Sequence, residues 1–523
     1  MPTTTTPEHT PAPSAGVSHV SRPPAWLTIL AVLAVGTVSI PLVYLAVRAS
    51  GVPASELTAI FGRPLVGELV ANTIGLSIAV SATAIALGTL IATIVTRLRI
   101  GAARTWLLIS ALPLAVPSYL ASYGWLVILP GLNGFWPSWA LLSAVTIPYV
   151  TLPVAAVLRG TSAEGEAVAR TLGLGPAQAF WRVTWPQVRP AAIAGGLLVF
   201  LYTLSDFGLV AMLRFQTLTW GVQQAYAASF DRSQAAVLAL LLVVIAVIVV
   251  AAERGARGSL TRTTATHSTK EPLSAGPRIV FTAVVALPPV VGVLIPLIGL
   301  GSRLAEATTL RALNPEGLLQ ATTTTIGVSV AAAVVALLLA LPLAALAARY
   351  TNKWVPTLEG AGYLSNGLPG IVVGLSLVFF SLSVIPALYQ TVVVLVFAYA
   401  VLFMPKALGT ARASIEGVSV DLVNVARTLG ASRFQAWRRV TVPLALPGIG
   451  IGALLVAITT MKELPATLLL RPLGSSTLAT ELWSRTAAGE FGAAAPYAAV
   501  LVVVAAIPAM ILSGVRSVAK EEM

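Results

Sequence analysis

The chain has 523 residues, 57% of them hydrophobic and 10% charged, with a formal net charge of +13 and no cysteine. A soluble domain carries roughly 25% charged residues, so an ordinary soluble enzyme or binding module is excluded. Without cysteine there is no disulfide framework and no thiolate metal site. The positive charge is not gathered into a basic cluster interleaved with aromatics, which sets nucleic acid aside as a partner.

In chain order, residues 1–24 are rich in Thr, Pro and Ser and are expected to form a disordered tail. The first apolar run is long enough to span a bilayer and lacks a clear cleavage site, so it does not read as a signal peptide. Spans are expected near 25–47, 69–96, 106–129, 138–159, 191–214 and 235–252. A polar linker, 253–278, carries Arg254, Arg257, Arg262, His267 and Lys270. A second set follows near 279–300, 320–348, 358–383, 388–411, 447–470 and 494–515, with a tail at 516–523. Backbone groups find no partner in lipid, so all of these should be helices. The fold class is an all-α polytopic membrane protein of about 12 transmembrane helices.

The two sets, 25–252 and 279–515, read as parallel repeats. Thr73-Ile74-Gly75 returns as Thr325-Ile326-Gly327, Arg97 as Arg349 and Pro117 as Pro369, all at an offset of 252. Pro148 then matches Pro405 at 257, and that offset carries Asp206 onto Glu463 and Arg214 onto Arg471. Six spans per repeat bring the second back to the side on which the first began. With the N-terminus inside, 23 of the 32 Lys and Arg residues fall on the inner side. That bias makes both termini and the linker cytoplasmic.

A polar, basic island at about 160–190 recurs at about 412–446. Ala169-Arg170-Thr171-Leu172-Gly173 returns as Ala426-Arg427-Thr428-Leu429-Gly430. Each copy then carries an aromatic (Phe180, Phe434), a Trp-Arg pair (Trp181-Arg182, Trp437-Arg438), Val-Thr (Val183-Thr184, Val440-Thr441) and a proline (Pro186, Pro443). A short helix ended by Gly, and a second halted by Pro, would make a rigid element outside the bilayer.

These islands resemble the coupling loop, or EAA motif, of permease subunits in bacterial ABC importers. The resemblance implies the type I permease fold, docking of two copies of a separate ABC ATP-binding subunit, and delivery of cargo by an extracytoplasmic binding protein. It assigns ATPase coupling to Glu166, Ala167, Gly173, Pro186, Ala426, Gly430 and Pro443. Glu166 precedes Gly173 by seven residues, but Val423 stands there in the second copy, with Asp421 two residues earlier. Unequal engagement of the two loops would account for the difference, and so would tolerated drift in the second copy. None of the lysines (Lys270, Lys353, Lys406, Lys462, Lys520) is followed by Ser or Thr in a Gly-rich loop, so the chain lacks a Walker A motif and is not expected to be an enzyme.

Ionisable groups inside spans usually face a pathway. Asp206 lies in Thr203-Leu204-Ser205-Asp206-Phe207-Gly208 and Glu463 in Thr460-Met461-Lys462-Glu463-Leu464-Pro465. Both are expected in the outer half of a fifth span, on the translocation pathway with Lys462, Arg214 and Arg471. Pairing of Glu463 with Lys462, bracing the helices, is the alternative. The run Met461 to Pro472, with Thr477-Leu478-Ala479-Thr480, resembles fused permeases of ferric-iron importers. Sister branches for thiamine, polyamines and oxyanions share the fold. Fe³⁺ favours the oxygen ligands that the spans offer. All three histidines (His9, His19, His267) fall outside the spans. No cofactor and no tight metal site is expected. A secondary transporter also fits twelve helices in two halves, but would have no need of paired coupling loops. A membrane enzyme would need a His-bearing constellation within the spans.

Overall fold

The computed structural model describes residues 23–160, 164–228, 233–257, 274–307, 309 and 313–521. The three histidines and most of the expected N-terminal tail lie outside these. Among the described residues regular structure is helical throughout, as hydrocarbon demands of a spanning backbone. Among these residues ten helices are long and apolar enough to cross a membrane, or twelve if each of two bent pairs is one span. Outward faces carry exposed aliphatic side chains such as Ile29, Leu33 and Leu338, suited to lipid.

The bent pairs are the third spans of the two repeats. Thr105–Ala115 meets Ser118–Ile128 at 89°, and Val355–Gly367 meets Gly370–Val384 at 103°. Pro117 and Pro369 sit at the corners. The residue before a proline is driven out of the helical region, and Val116 (ψ 126°) and Leu368 (ψ 128°) are indeed extended. Each third span is therefore two short helices with an elbow.

The fifth spans differ from expectation at both ends. Pro176–Ser205 and Arg433–Met461 are continuous rods that begin inside the repeated loops. Pro186 and Pro443 do not halt a helix; they sit in the first turn after a π turn, Phe180–Thr184 or Trp437–Thr441. A proline ring would clash with the carbonyl four residues back. Widening the preceding turn moves that carbonyl aside and lets the rod continue. A third π turn, Val290–Leu294, precedes Pro296 in the same way. At their far ends the rods stop at Ser205 and Met461, so Asp206 and Glu463 lie in breaks beyond the span rather than within it.

The repeats exchange their first helices. Ala25–Ser50 packs on the second half: Ser376 Oγ donates to Pro41 O, Tyr44 and Phe380 meet edge to face at 5.5 Å, and the Arg48 guanidinium lies 5.7 Å from the Phe379 ring. Ala275–Leu304 packs on the first half, where Trp125 Nε1 donates to Val291 O at 2.9 Å. Both crossings meet the second arm of the bent third span, Gly370–Val384 or Ser118–Ile128. The helix Ser233–Arg257 enters the stretch expected as linker, and its successor begins at Ala275, while 258–273 lie outside the described residues. The final helix continues to Glu521, through what was expected to be a tail.

Candidate functional site

Each repeated loop is a helical hairpin closed by a left-handed glycine. The helix Glu164–Thr171 ends where Leu174 N reaches Ala169 O (3.1 Å) and Gly173 N reaches Arg170 O (3.0 Å). In the second copy Val420–Thr428 ends with Ala431 N on Ala426 O and Gly430 N on Arg427 O, both 3.0 Å. This is the paired capping pattern that requires a positive φ just past the helix. Gly173 (φ +89°) and Gly430 (φ +91°) supply it, a conformation that a Cβ would oppose.

Different side chains hold the two hairpins. In the first, Glu166 accepts from Thr184 Oγ1 at 3.0 Å and pairs with Arg170 at 3.5 Å, tying the short helix to the π turn. Glu166 is thus engaged within its own loop. In the second, Val423 leaves no such tie. Ser419 Oγ caps Asp421 N at 3.1 Å, and Ser432 and Gln435 exchange backbone-to-side-chain bonds at 3.2 and 3.0 Å. Arg349 anchors this loop from behind, donating to Ile415 O (2.8 Å) and Val418 O (2.9 Å). Ala167, Pro186 and Pro443 are exposed and Ala426 is half-buried.

The opposite ends of the two fifth-span rods meet the two elbows. Asp206 caps the short helix Gly208–Met212 that follows its break: Oδ1 accepts from Leu209 N (3.1 Å) and Val210 N (3.4 Å), and Oδ2 accepts from Ser118 Oγ. Glu463 does the same for Pro465–Leu470, accepting from Ala466 N (2.9 Å), Thr467 N (3.0 Å) and Thr467 Oγ1 (2.8 Å). Both carboxylates are buried. Where the first elbow has Ser118, the second has Gly370, whose missing side chain leaves room for the longer acid.

Lys462 does not pair with Glu463. Its Nζ crosses to the other half and donates to Leu114 O (3.2 Å) and Ala115 O (3.3 Å) at the first elbow, while its own carbonyl accepts from Tyr119 Oη at 3.3 Å. Tyr119 and Leu464 close over Gly208, and Phe207 lies against Trp483 with ring centroids 5.2 Å apart. The breaks of the two halves therefore form one seam. Lys406, from Val392–Glu416, approaches it through Thr459, to whose Oγ1 it donates at 2.8 Å. Arg214 and Arg471 are not part of the seam. They follow the short helices that the acids begin, about 8 Å further along at 1.5 Å per residue. Arg214 is exposed with φ +52°, and Arg471 lines a cavity of about 440 Å³ with Gln390, Ser475, Ser476 and Glu481.

Residues 84–254 and 340–516 each match the family described as binding-protein-dependent transport system inner membrane component. The chain belongs to that family. It is an ABC importer permease with two copies of the domain in one polypeptide, a multi-pass protein of the inner membrane that works with an ATP-binding subunit and a binding protein. It is 33% identical over 497 residues to the Fe(3+)-transport system permease protein FbpB 2 of Haemophilus influenzae, covering 94% of this chain and 98% of that one. Shorter matches include the putative 2-aminoethylphosphonate transport system permease protein PhnV of Salmonella typhimurium, 32% identical over 32% of this chain and 62% of that protein. The molybdenum transport system permease protein ModB of Escherichia coli is 36% identical over 19% of this chain and 45% of its own length.

Two features of the permease were not foreseen. Its repeated loops present apolar side chains at matching places: Val168 and Val425 are 56% and 55% exposed, Leu172 and Leu429 79% and 82%. Their spacing of four residues on a short helix was the available signal. The seam was the other. The partners of Asp206, Glu463 and Lys462 come from elements distant in sequence or from the residues just beyond a break, and hydropathy registers neither.

Proposed function

We propose that the permease serves a ferric-iron importer driven by two copies of an ATP-binding subunit, one on each repeated loop. Near full-length likeness to an Fe(3+)-transport permease carries this reading. The loops, both termini and the residues 258–273 face the cytoplasm, a reading supported by the distribution of Lys and Arg. Lacking a Walker A motif, the chain leaves ATP hydrolysis to its partner.

The exposed Val168, Leu172, Val425 and Leu429 form the docking faces, and Glu166, Gly173 and Gly430 keep each hairpin stiff enough to transmit force. The rods make the transmission direct. At 1.5 Å per residue, the 30 residues of Pro176–Ser205 carry a displacement of the loop about 45 Å to the seam. Asp206 and Glu463 fasten each rod end to the short helix beyond it, and the first also to an elbow, so movement of a rod re-sets the seam. We assign these acids to the pathway as its braces, and Lys462 as a group that faces it. Arg214 and Arg471 lie further along, where a binding protein would arrive.

The test is ATP-dependent accumulation of radiolabelled iron in proteoliposomes containing the permease, its ATP-binding subunit and its binding protein. Iron accumulation without ATP would sink the ABC reading. ATP-driven uptake of molybdate or a phosphonate, with none of iron, would move the chain to the oxyanion branch.

A further inference from the structure

Lys406 and Lys462 are the two cationic side chains that approach the seam, and neither has an acidic partner among the described residues. Lys462 spends its donors on the carbonyls of Leu114 and Ala115. Lys406 donates to the Thr459 hydroxyl, and its Nζ lies 5.1 Å from the centre of the Phe403 ring. The two acids of the seam are committed elsewhere: Glu463 to Ala466 and Thr467, Asp206 to Leu209, Val210 and Ser118. An ammonium has three donors; protein acceptors among the described residues take two of those of Lys462 and one of those of Lys406, leaving one and two for another acceptor.

The charge is one-sided. At the repeat's offset of 257, the first half has Tyr149 in place of Lys406 and Ser205 in place of Lys462. Neither replacement is charged, so the pair belongs to the second half alone. Fixed positive charge within a membrane is expensive and usually marks a substrate pathway. Its sign bears on the cargo. Two ammonium groups raise the barrier for a bare trivalent cation, and among the described residues no group of three or more His, Asp or Glu is placed to hold one. The remaining N–H donors suit phosphate or carboxylate oxygens, with charge-assisted hydrogen bonds that replace water.

We propose that Lys406 and Lys462 form an oxyanion station at the seam, so that cargo crosses as a complex bearing phosphate or carboxylate groups. This rests on the ferric reading above: iron enters together with its oxyanion ligand, not as the bare ion. The same chemistry would receive a free oxyanion, and the experiment separates the two.

Proteoliposomes of the complete importer are given binding protein loaded with labelled iron and labelled phosphate, and in parallel with labelled iron and labelled citrate. Both labels should accumulate together in at least one pairing. Lys406→Met with Lys462→Met should lower that uptake by about tenfold or more, the scale set by loss of one charged hydrogen bond in a desolvated site. Lys406→Arg with Lys462→Arg should recover most of it. Iron entering while both anions stay outside would overturn the station and leave the ferric reading intact. No iron uptake, with phosphate or molybdate taken up alone and lost in the methionine variant, would sink the ferric reading and keep the station. If the methionine variant fails to reach the membrane, the co-accumulation ratio in the unmodified importer decides, and the arginine variant supplies the residue test. Wild-type uptake by a properly assembled methionine variant would also overturn the proposal.

Discussion

Gly370 leaves the space that the carboxylate of Glu463 fills. In the first half Ser118 and Asp206 occupy the equivalent places and solve the same problem with a hydroxyl and a shorter acid. Each half thus fits a carboxylate between an elbow and the start of a short helix, but with a different division of atoms. Gly370→Ser alone should displace Glu463 and lower both membrane level and uptake. Combined with Glu463→Asp it should recover much of the loss, because the double variant recreates the first half's pair. Additive damage in the double variant would show that the two residues are not coupled.

Removing the brace should destabilise rather than merely slow transport. Glu463→Ala strands the Ala466 and Thr467 N–H groups, each buried donor costing about 1–3 kcal/mol. The thermal midpoint in detergent should fall clearly, while Glu463→Gln, which keeps one acceptor oxygen, should fall less. A Glu463→Ala protein of normal stability with abolished uptake would instead favour a direct role in conduction.

The loop glycines should be intolerant of β-branching. A side chain in the left-handed conformation costs about 1–2 kcal/mol, and Val more, so Gly173→Val or Gly430→Val should loosen the hairpin and uncouple ATP hydrolysis from uptake. Comparing ATPase rate with uptake in the same proteoliposomes tests this. Tight coupling in both variants would remove the glycines from force transfer.

Glu166 should matter more than its counterpart. Glu166→Ala removes the acceptor of the Thr184 hydroxyl and one ion pair of Arg170 together, whereas Val423→Ala breaks no polar tie. The first change should lower ATP-driven uptake several-fold, with a change near zero for the second. The reverse order would overturn the reading of Glu166 as the strut of its hairpin.

Absence of cysteine makes orientation easy to measure. Leu172 and Leu473 are 79% and 85% exposed. In intact cells a membrane-impermeant maleimide should label Leu473→Cys and spare Leu172→Cys, and inverted vesicles should show the opposite. Labelling of Leu172→Cys from outside would reverse the topology and remove the docking surface from the ATPase.

Much of this architecture was legible from the chain alone. The offsets 252 and 257 relate the elbows, the loops and the capping acids, because duplicated segments meet duplicated physical constraints. At the elbows a proline inside a span signals a kink at Pro117 and Pro369, but not its size: hydropathy does not distinguish a slight bend from the 89° and 103° corners found there. Lys462 and Glu463 adjoin in sequence, which suggested an ion pair. The helix ends just before them, at Met461, and the broken backbone sends one side chain to a neighbouring half and the other to its own next helix. Exchange of the first helices left no trace either, since a face that meets lipid and a face that meets another apolar helix use the same residues.

That exchange means the two halves are held together by more than the peptide between 257 and 274. Each carries a strap lodged on its counterpart, so neither can drift away without pulling a helix out of an established groove. Severing the chain there would leave two interlocked fragments rather than two free ones. Conversely, either half made alone would display an unfilled groove and a homeless helix. A machine built this way can be encoded as one polypeptide or as two with little change in its mechanics.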